Sequence, residues 1–483
     1  MELKQLLQDL SAAHLSGPES VSVTGICYDS RKAAPGCLFV AIRGFRSDGH
    51  AFITAALERG AAAVLLETPP KDALPGNIPV YQMKNTRRGL AQAAAAFYGH
   101  PERELRLIGV TGTNGKTTST FLIRHILEKT GHKCGLIGTT GVWVGEDFRE
   151  AERTTPEALE LYALLREMKD RGQEYCVMEV SSHSLVLDRV WGLHFQSAAF
   201  TNLTQDHLDF HGDMEHYFQA KARLFDRCDT AVLNLDDPYG QRLAKSLTGT
   251  KLTFSAKVDQ GDLIAKNIRL LPDSVQAVLV RDNDIARLRL GIPGMFSVYN
   301  ALTAIGCCLA AGLGLEEASA ALADAPGVKG RVEVVPTGQD FTVLIDYSHT
   351  PDSMDNILRT VRGFARGRVV GLFGAGGDRD KTKRPIMGRT AGELCDLAIV
   401  TSDNPRSEDP DAIIADILTG MNSKMKYKVI PDRREAIAWA VKNAKKDDII
   451  VLMGKGQETY QEIQGEKHHL DEREEVARAL KSR

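Results

Sequence analysis

Long apolar runs are missing from this sequence of 483 residues. None approaches the ~18 residues that a membrane-spanning helix needs, and the opening MELKQLLQDL begins an amphipathic helix without the apolar core of a signal peptide. Blocks of one charge sign are missing too, since 60 basic and 63 acidic residues give a net charge of −3. This balance argues against nucleic acid or a membrane surface as a partner. A cytoplasmic protein is therefore expected.

Cysteine pairs with metal-binding or redox spacing are also missing. No CxxC pattern occurs, and most of the eight cysteines stand in apolar surroundings: Cys27, Cys37, Cys134, Cys176, Cys228, Cys307, Cys308 and Cys395. We therefore expect buried thiols in a reducing compartment rather than disulfides or a zinc site.

The most informative feature that is present is the segment TGTNGKTT at 111–118. It follows the largely apolar run 105–110 and precedes a helical pattern, which predicts a strand, a glycine-rich loop and a helix. Such a loop turns backbone N–H groups and the start of a helix toward nucleotide phosphates. Lys116 supplies a cation for the phosphates and Thr117 a hydroxyl for Mg²⁺. The context favours ATP binding over an accidental glycine-rich turn.

The order of predicted strands and helices divides the chain into three parts. Residues 1–100 alternate short strands and helices, which predicts a small N-terminal α/β domain. Residues 101–330 form a predicted central P-loop mononucleotide-binding domain, within which 252–290 is a β-rich insertion. Residues 331–483 repeat strand, loop and helix four times, as in a Rossmann-like domain. The predicted fold class is therefore α/β with three domains.

Polar segments follow the four predicted strands of the C-terminal domain: DYSHTPDS, GAGGDRDKTKR, DNPRSEDP and GKGQE. In open α/β sheets, ligands bind beyond the carboxyl ends of strands. Turn formation explains the glycines, but it does not explain the charged residues on this rim, which are Asp346, His349, Arg379, Arg406 and Glu458. A binding site is predicted there. The glycine pattern GxxGxG in the second segment is too weak to indicate NAD, which we reject.

Two charged residues of the central part stand in unusual positions. Glu179 ends the predicted strand YCVMEV, where a carboxylate near the P-loop suits Mg²⁺, although an exposed strand-end glutamate is the alternative. Lys221, in HYFQAKARLFD, has apolar residues three and four positions away on both sides. Because burial of an ammonium is costly and lowers its pKa, this lysine must reach solvent, find a partner or lose its proton. On the residues alone the first outcome is favoured, while a neutral lysine could react with carbon dioxide to form a metal-binding carbamate.

Together these segments resemble the Mur ligases, the ATP-dependent amide-bond synthetases of peptidoglycan precursor assembly. The resemblance spans nearly the whole chain and rests on DSRKAAPGCLFVAIRG, GVTGTNGKTT, RTTPEA, MEVSSHSL, TNLTQDHLDFHG, the lysine helix, GRVE, DYSHTPDS and GKGQE. Val110 replaces the first glycine of the general P-loop pattern, and the loop of this family reads the same way. Ser297 is a departure, since many relatives have asparagine there.

The resemblance implies a role for each matching residue. The implied ATP-binding residues are Gly112, Thr113, Asn114, Gly115, Lys116, Thr117, Thr118, Asn300, Arg331, Asp346 and His349. The UDP-linked substrate would contact Ser30, Thr154, Thr155, Ser181 and Arg189. Mg²⁺ would be held by Thr117, Glu179, His207 and Lys221 as a carbamate, and the implied catalytic residues are Lys116, His207 and Lys221. ATP, Mg²⁺ and a carbamylated lysine are thus expected in a cytoplasmic, monomeric enzyme.

Within the family, the N-terminal block and DNPR resemble the members that add meso-diaminopimelate to UDP-N-acetylmuramoyl-L-alanyl-D-glutamate. The implied diaminopimelate-binding residues are Arg379, Asp403, Asn404, Pro405, Arg406, Gly454 and Glu458. Arg406 would take the distal carboxylate as a bidentate pair, and Asp403 with Glu458 would hold the distal ammonium. The alternatives are a lysine-adding ligase, a folylpolyglutamate synthetase and, from another class, a P-loop ATPase switch. Arg406 argues against the first, the N-terminal DSR segment against the second, and the lack of a basic patch against the third.

Overall fold

Parallel strands that are buried on both faces organise this fold. The computed structural model describes residues 1–19, 21–44, 47–70 and 74–483. The chain divides into two units: unit 1 consists of Met1–Leu263 with Leu302–Gly314, and unit 2 of Ile264–Ala301 with Leu315–Arg483. The three predicted domain ranges stay predictions.

The first part of unit 1 is a five-stranded sheet with the order β1-β5-β4-β3-β2. Its strands are β1 (Ala13–Ser16), β2 (Gly25–Cys27), β3 (Cys37–Val40), β4 (Ala63–Leu66) and β5 (Val80–Gln82), and its helices are α1 (Leu3–Leu6), α2 (Ile53–Glu58) and α3 (Thr86–Phe97). Strand β1 is antiparallel to β5, and the other neighbours are parallel. Every residue of β3 and β4 is buried, as their continuous apolar sequences require.

The second part of unit 1 contains eight strands in the order β13-β12-β11-β6-β10-β7-β8-β9. They are β6 (Arg106–Thr111), β7 (Cys134–Gly138), β8 (Gly141–Val144), β9 (Asp147–Arg149), β10 (Tyr175–Glu179), β11 (Phe195–Phe200), β12 (Cys228–Asn234) and β13 (Thr250–Ser255). The helices are α4 (Lys116–Lys129), α5 (Ala158–Asp170), α6 (Ser182–Val186), α7 (Leu208–His211), α8 (Met214–Ala222) and α9 (Pro238–Ser246). The pairs from β13 to β7 are parallel, and β8 and β9 add antiparallel edges. The predicted strand, loop and helix of the P-loop are confirmed.

Unit 2 begins with antiparallel strands that lie within the predicted β-rich insertion 252–290, although the start of that range belongs to the parallel strand β13 of unit 1. These are β14 (Leu263–Leu270, whose first residue belongs to unit 1), β15 (Val275–Arg281) and β16 (Asp284–Leu290). Helix α10 (Met295–Ala310), whose residues from Leu302 onward belong to unit 1, and helix α11 (Leu315–Ala321) follow. Short 3-10 turns occur in both units. Those of unit 1 are Ser30–Lys32, Gly49–Phe52, Pro101–Arg103 and Phe225–Arg227, and that of unit 2 is Leu322–Asp324.

The rest of unit 2 is a six-stranded sheet with the order β17-β18-β22-β19-β20-β21. Its strands are β17 (Glu333–Val335), β18 (Thr342–Asp346), β19 (Val369–Phe373), β20 (Leu397–Val400), β21 (Tyr427–Val429) and β22 (Ile449–Met453), and a hairpin of β23 (Tyr460–Ile463) and β24 (Glu466–His469) follows. The helices are α12 (Pro351–Arg362), α13 (Lys383–Leu394), α14 (Pro410–Leu418), α15 (Arg433–Lys442) and α16 (Glu472–Lys481). Only β17 is antiparallel, so the loops after β18, β19, β20 and β22 leave one edge of the sheet. The four predicted strands and the α/β class are confirmed.

All eight cysteines are free thiols, seven of them buried and Cys228 half-buried. The prediction of buried thiols without disulfides is confirmed. Among the helices of the described ranges, none has both the length and the apolar character that crossing a bilayer requires.

Candidate active site

The P-loop follows β6, the strand that lies between β11 and β10 in the middle of its sheet. Gly112 and Gly115 have φ values of +145° and +86°, and a Cβ on Gly112 would lie 1.9 Å from Thr201 Oγ1. Only glycine fits the first position. Gly115 precedes α4 and offers no capping side chain, so the N–H groups of the first helical turn suit an anion. This geometry fits a nucleotide phosphate.

The loop is fixed by the segment that follows β11. Thr113 N–H donates to Asn202 O at 2.9 Å, and Asn114 N–H donates to Asn202 Oδ1 at 3.0 Å. In return, the Thr201 hydroxyl donates to Asn114 O at 2.6 Å. The first half of TNLTQDHLDFHG therefore holds the P-loop in shape.

Lys116, Thr117 and Thr118 form the start of α4. Lys116 Nζ donates to Gly112 O and Thr113 O, each at 2.9 Å, so the ammonium lies over the loop itself. Thr117 and Thr118 are buried, with 9% and 8% of their surfaces exposed. The structure thus gathers all seven predicted P-loop residues at one helix start.

Lys221 lies on α8 with only 1% of its surface exposed. Its Nζ donates to Gly112 O at 2.8 Å and lies 4.6 Å from the centre of the Tyr217 ring. Burial, and then the positive charge of Lys116, lower the pKa of Lys221 well below its ordinary value against an opposing effect of Asp206. The prediction that this ammonium reaches solvent is wrong. A neutral amine is the form that can react with carbon dioxide.

Glu179 ends β10 and is 1% exposed, so the alternative of an exposed strand-end glutamate is wrong. Its Oε1 accepts the Thr139 N–H at 2.8 Å, and its Oε2 accepts the Thr139 hydroxyl at 3.1 Å. Gly138 leaves room for the carboxylate, since a Cβ there would lie 2.5 Å from Oε1. The main chains of β10 and β6 continue to pair past this point through Val180 N–H and Val110 O. A buried carboxylate thus lies at the same edge as the P-loop.

His207 precedes α7 with φ of +51°, and its side chain is 48% exposed. Its Nε2 lies 3.4 Å from Asp206 Oδ2, and its ring centre lies 4.8 Å from that of His183. In the part of the chain that the structure describes, no three His, Cys, Asp or Glu side chains converge as a metal-binding group. Mg²⁺ commonly takes one or two carboxylates and completes its shell with water and phosphate. The hydroxyl of Thr117 and the carboxylate of Glu179 are donors of the type it prefers.

A cavity of about 770 Å³ lies in unit 1 and is lined by residues from both of its parts. Ser30 contributes to the wall, and Arg59 Nη1 donates to Ser30 O at 2.8 Å. Five guanidinium groups but only two carboxylates line it: Arg31, Arg59, Arg87, Arg153 and Arg189 with Asp29 and Glu157. An excess of guanidinium groups suits a phosphorylated ligand.

Four residues predicted to hold the UDP-linked substrate belong to one hydrogen-bonded network: Thr154, Thr155, Ser181 and Arg189. The Thr155 hydroxyl donates to Glu179 O at 2.9 Å and accepts the Ser181 N–H at 3.2 Å. Arg189 Nη1 donates to Thr155 O at 3.1 Å, and the Thr154 hydroxyl lies 3.0 Å from that of Thr139. The arginine-lined cavity is therefore connected through protein hydrogen bonds to the buried Glu179.

Glu157 is a further residue of this region that the sequence did not single out. Its carboxylate lies 2.9 Å from Arg189 Nε, 3.2 Å from Arg87 Nη1 and 3.6 Å from Arg153 Nη1. Burial lowers the pKa of Arg189, and Glu157 opposes that effect. The available signal was its place directly after Thr-Thr-Pro in RTTPEA.

In unit 2, the loops after β20 and β22 meet around a lysine that was also missed. Asp403 and Asn404 are buried, and Lys455 is fully buried between them and Glu458. Gly454 has φ of +118°, and a Cβ there would lie 2.2 Å from Asp403 Oδ2. The structure therefore brings four of the predicted diaminopimelate-binding residues together.

Arg406 and Arg379 both flank Gly376, where a Cβ would lie 3.0 Å from Arg406 Nη1 and 3.8 Å from Arg379 Cγ. Arg406 Nη1 donates to Gly377 O at 2.8 Å, and its Nε donates to Glu462 Oε2 at 3.2 Å. Arg379 is exposed. Two arginines thus stand side by side at the same edge of the sheet, next to the buried Pro405.

The predicted nucleotide residues of unit 2 surround the end of β18. Asp346 accepts the N–H groups of Val332 and Ser348, each at 2.9 Å, so its carboxylate holds the local main chain. The Arg331 guanidinium lies 5.2 Å from the centre of the Tyr347 ring, and the exposed His349 donates through Nδ1 to Tyr347 O at 2.8 Å.

Asn300 lies on α10 and is 5% exposed. Ser297, one turn earlier, donates its hydroxyl to Pro293 O at 2.9 Å. The serine that departs from the family pattern is thus engaged with the start of its own helix.

Three family models match successive segments of the chain. The "Mur ligase family, catalytic domain" matches residues 22–103, the "Mur ligase middle domain" residues 110–308, and the "Mur ligase, glutamate ligase domain" residues 330–456. Together they cover most of the sequence.

Individual proteins are similar over the full length. The UDP-N-acetylmuramoyl-L-alanyl-D-glutamate--2,6-diaminopimelate ligase of Clostridium tetani (strain Massachusetts / E88) is 45% identical over 99% of this chain and 98% of its own. A solved structure of a ligase with the same name is 32% identical, covers 95% of each chain and has a TM-score of 0.72. The MurF ligase of Thermotoga maritima in complex with ADP is 18% identical, covers 95% of this chain and 97% of its own, and shares the fold with a TM-score of 0.59.

Proposed function

Because this chain belongs to the Mur ligase family, we propose that it is the ATP-dependent, ADP-forming ligase that adds meso-diaminopimelate to UDP-N-acetylmuramoyl-L-alanyl-D-glutamate. The amide bond forms at the side-chain carboxylate of D-glutamate, through an acyl phosphate, in peptidoglycan precursor synthesis. The enzyme acts in the cytoplasm as a monomer, with small-molecule substrates and neither nucleic acid nor membrane as a partner. Three domains carry the reaction: residues 1–100, 101–330 and 331–483.

The observation that carries this proposal is the connection between two anion-binding features of unit 1. The arginine-lined cavity suits the diphosphate of a UDP-linked substrate, and the P-loop suits ATP. Hydrogen bonds from Arg189 through Thr155 to Glu179 join them. A carboxylate at the far end of the bound UDP-linked substrate can therefore be presented to the nucleotide.

The first chemical step activates that carboxylate. A glutamate carboxylate oxygen attacks the γ-phosphorus of ATP, the bond between the γ-phosphorus and the bridging oxygen breaks, and ADP leaves with the electron pair. Lys116, whose ammonium already lies over the loop, stabilises the negative charge on the phosphoryl oxygens. Mg²⁺, when bound, supplies further charge neutralisation, and Thr117, Glu179, His207 and carbamylated Lys221 are the residues proposed to hold it.

The second step forms the amide. The neutral amine of diaminopimelate attacks the acyl carbon, and the resulting tetrahedral oxyanion collapses with loss of phosphate and of a proton from nitrogen. Correct placement of the amine supplies much of the rate. Arg406, with Arg379 beside it, binds the distal carboxylate, which L-lysine lacks.

The carbamate on Lys221 is supported by the burial and lowered pKa of this lysine. The neutral Nζ attacks the carbon of carbon dioxide, an N–C bond forms as one C=O π pair moves to oxygen, and the nitrogen releases one proton to solvent. Intact-mass measurement under carbon dioxide, with Lys221→Met as the control, tests this step. Loss of the mass increase in the variant supports the carbamate, and equal mass increases in both proteins contradict it.

Further residues proposed for the nucleotide lie in unit 2. Asn300, Arg331 and His349 are proposed to contact ATP, and Asp346 to fix the main chain that carries them. The support is the gathering of Arg331, Asp346 and His349 around the end of β18.

The decisive experiment measures phosphate release from ATP and Mg²⁺ with the UDP-linked dipeptide and either meso-diaminopimelate, L-lysine or no amine. Release that depends on the UDP-linked dipeptide and on diaminopimelate supports the proposal. Equal or faster release with lysine keeps the family but contradicts the diaminopimelate assignment. Release that is indifferent to both substrates indicates an ATPase switch instead.

A further inference from the structure

A fully buried lysine lies at the centre of the proposed amino-acid site. Strand β22 ends at Met453, and Gly454, with φ of +118°, turns the chain so that Lys455 points into unit 2 with 0% of its surface exposed. A charged group without solvent is retained only where partners replace the water. The partners of Lys455 therefore indicate what it does.

All three polar partners of Lys455 are residues assigned to the amino-acid substrate. Nζ donates to Asn404 Oδ1 at 2.8 Å and to Glu458 Oε2 at 3.2 Å. Asp403 Oδ1 lies 3.5 Å away. One ammonium thus joins the loop after β20 to the loop after β22, although β19 separates these strands in the sheet.

Three hydrogen bonds hold the Asn404 amide within the protein. Its Oδ1 also accepts the N–H of Glu462 at 2.9 Å, and its Nδ2 donates to Glu458 Oε2 at 2.9 Å. These bonds fix the orientation of the amide, because a flipped amide would turn its NH₂ toward the ammonium of Lys455. Through Asn404, the position of Lys455 therefore determines the orientation of the Glu458 carboxylate.

The two carboxylates beside Lys455 have different access to a ligand. The side chain of Asp403 is 8% exposed and that of Glu458 is 20% exposed. Burial alone would raise the pKa of Asp403, but Lys455 and Arg433 outweigh it and hold that pKa below its ordinary value. Asp403 thus acts as an internal counter-ion. The bonds that the structure describes for the Glu458 carboxylate use Oε2, which leaves Oε1 as the oxygen for a ligand ammonium.

We propose that Lys455 is a positioning residue for the amino-acid substrate: it neutralises Asp403 and aims the carboxylate of Glu458 at the ammonium group of diaminopimelate. The inference rests on the proposed function. Without the Lys455 charge, two carboxylates remain close together in a poorly hydrated site, and Glu458 loses both the cation and the orientation that Asn404 gives it.

The test compares Lys455→Met with the native chain by steady-state phosphate release. We expect the KM for diaminopimelate to rise ~30-fold or more, while the KM values for ATP and for the UDP-linked dipeptide stay near native. Lys446→Met, at an exposed lysine of the same unit, is the matched control for loss of a charge. Leu358→Ala, in the buried core of α12, is the control for loss of stability. Both controls should keep the native KM for diaminopimelate.

A double-mutant cycle separates positioning from general support. If Lys455 acts through Glu458, then Lys455→Met combined with Glu458→Gln should raise the KM for diaminopimelate no more than the stronger single change. Multiplied effects of the two single changes, equal KM increases for all three substrates, or a native KM in Lys455→Met would each overturn the inference.

Lys455→Gln provides a second variant if the methionine variant is not recovered folded. Glutamine can still donate to Asn404 but carries no charge, and the same selective rise in KM is expected. Failure of the inference and of the proposed function can be told apart. A native chain without diaminopimelate-dependent phosphate release refutes the function, whereas an active native chain with an unaffected Lys455→Gln refutes only the role of Lys455.

Discussion

The buried ion pair of Arg433 and Glu472 makes a strong prediction about the stability of unit 2. Both side chains are 0% exposed, and they occupy the first positions of α15 and α16. Arg433 donates to Glu472 Oε1 through Nε at 2.9 Å and through Nη2 at 2.7 Å, and Nη2 also donates to Met453 O at 2.8 Å. Glu472 Oε2 is buried and has no hydrogen-bond partner among the residues that the structure describes. The pair thus supports the residue directly before the proposed amino-acid site.

Arg433→Met keeps most of the aliphatic volume but leaves Glu472 as an uncompensated buried charge. Removing one partner of a buried pair costs about 3–5 kcal/mol, and the lost hydrogen bond to Met453 O adds about 1 kcal/mol. At roughly 2–4 °C per kcal/mol for a unit of this size, the melting temperature of unit 2 should fall by about 10–20 °C. A second change, Glu472→Met, removes the stranded charge and should restore part of the loss.

Hydrogen exchange followed by mass spectrometry suits this prediction, because two units need not unfold in one transition. Peptides from β22 should exchange faster in Arg433→Met, while peptides from β6 in unit 1 serve as the internal control. The reasoning is refuted if β22 exchanges at the native rate in the single variant. It is also refuted if the double variant exchanges faster than Arg433→Met alone, since the carboxylate would then not be the source of the instability.

Three further changes address binding and catalysis. Arg406→Ala should raise the KM for diaminopimelate roughly 10²-fold or more, because two charge-assisted hydrogen bonds to the distal carboxylate are lost. The KM for L-lysine, which lacks that carboxylate, should not rise. Native steady-state kinetics would show that Arg406 does not bind the substrate. Gly112→Ala would place a Cβ 1.9 Å from Thr201 Oγ1, so titration with a fluorescent ATP analogue should show binding weakened about 10²-fold or more. Native affinity for the ATP analogue would contradict the conclusion that only glycine fits position 112. Thr155→Val keeps the side-chain shape but loses the hydroxyl that donates to Glu179 O. We therefore expect kcat/KM for the UDP-linked dipeptide to fall about tenfold or more. An unchanged kcat/KM would contradict the inferred connection between the cavity and Glu179.

The parts of the site that the sequence predicts are those specified locally. The P-loop could be placed because an apolar strand, a glycine-rich turn and a helix start are adjacent in sequence, and the structure confirms each. The rim of unit 2 could be placed because loops after parallel strands leave one edge of a sheet. The family resemblance is confirmed as well. The predictions of the P-loop and of the rim each rest on strand-and-loop patterns that span fewer than about twenty residues.

The parts that the sequence misses depend on distant partners. On the residues alone Lys221 was expected to reach solvent, although the family resemblance implied a carbamate. Only the fold shows that its amine donates to Gly112 O, 109 positions away. Lys455 stands in a glycine-flanked segment typical of turns, and its burial depends on Asn404, 51 positions away. Glu157 likewise meets Arg87 across 70 positions. Periodicity describes one element at a time and therefore cannot report such pairings.

The two buried lysines, Lys221 and Lys455, differ in the charged groups around them, and this difference accounts for the different roles proposed for them. Lys455 has carboxylate oxygens at 3.2 and 3.5 Å, so its positive charge is compensated where it lies. Lys221 donates to a main-chain carbonyl and faces the positive charge of Lys116, so its charged form is disfavoured. Only a neutral amine can attack carbon dioxide, so carbamylation should occur at Lys221 rather than at Lys455, although both side chains are buried. The same residue type is thus proposed as a reactive amine in unit 1 and as a fixed counter-ion in unit 2, because carboxylates surround Lys455 whereas Lys221 donates to a main-chain carbonyl.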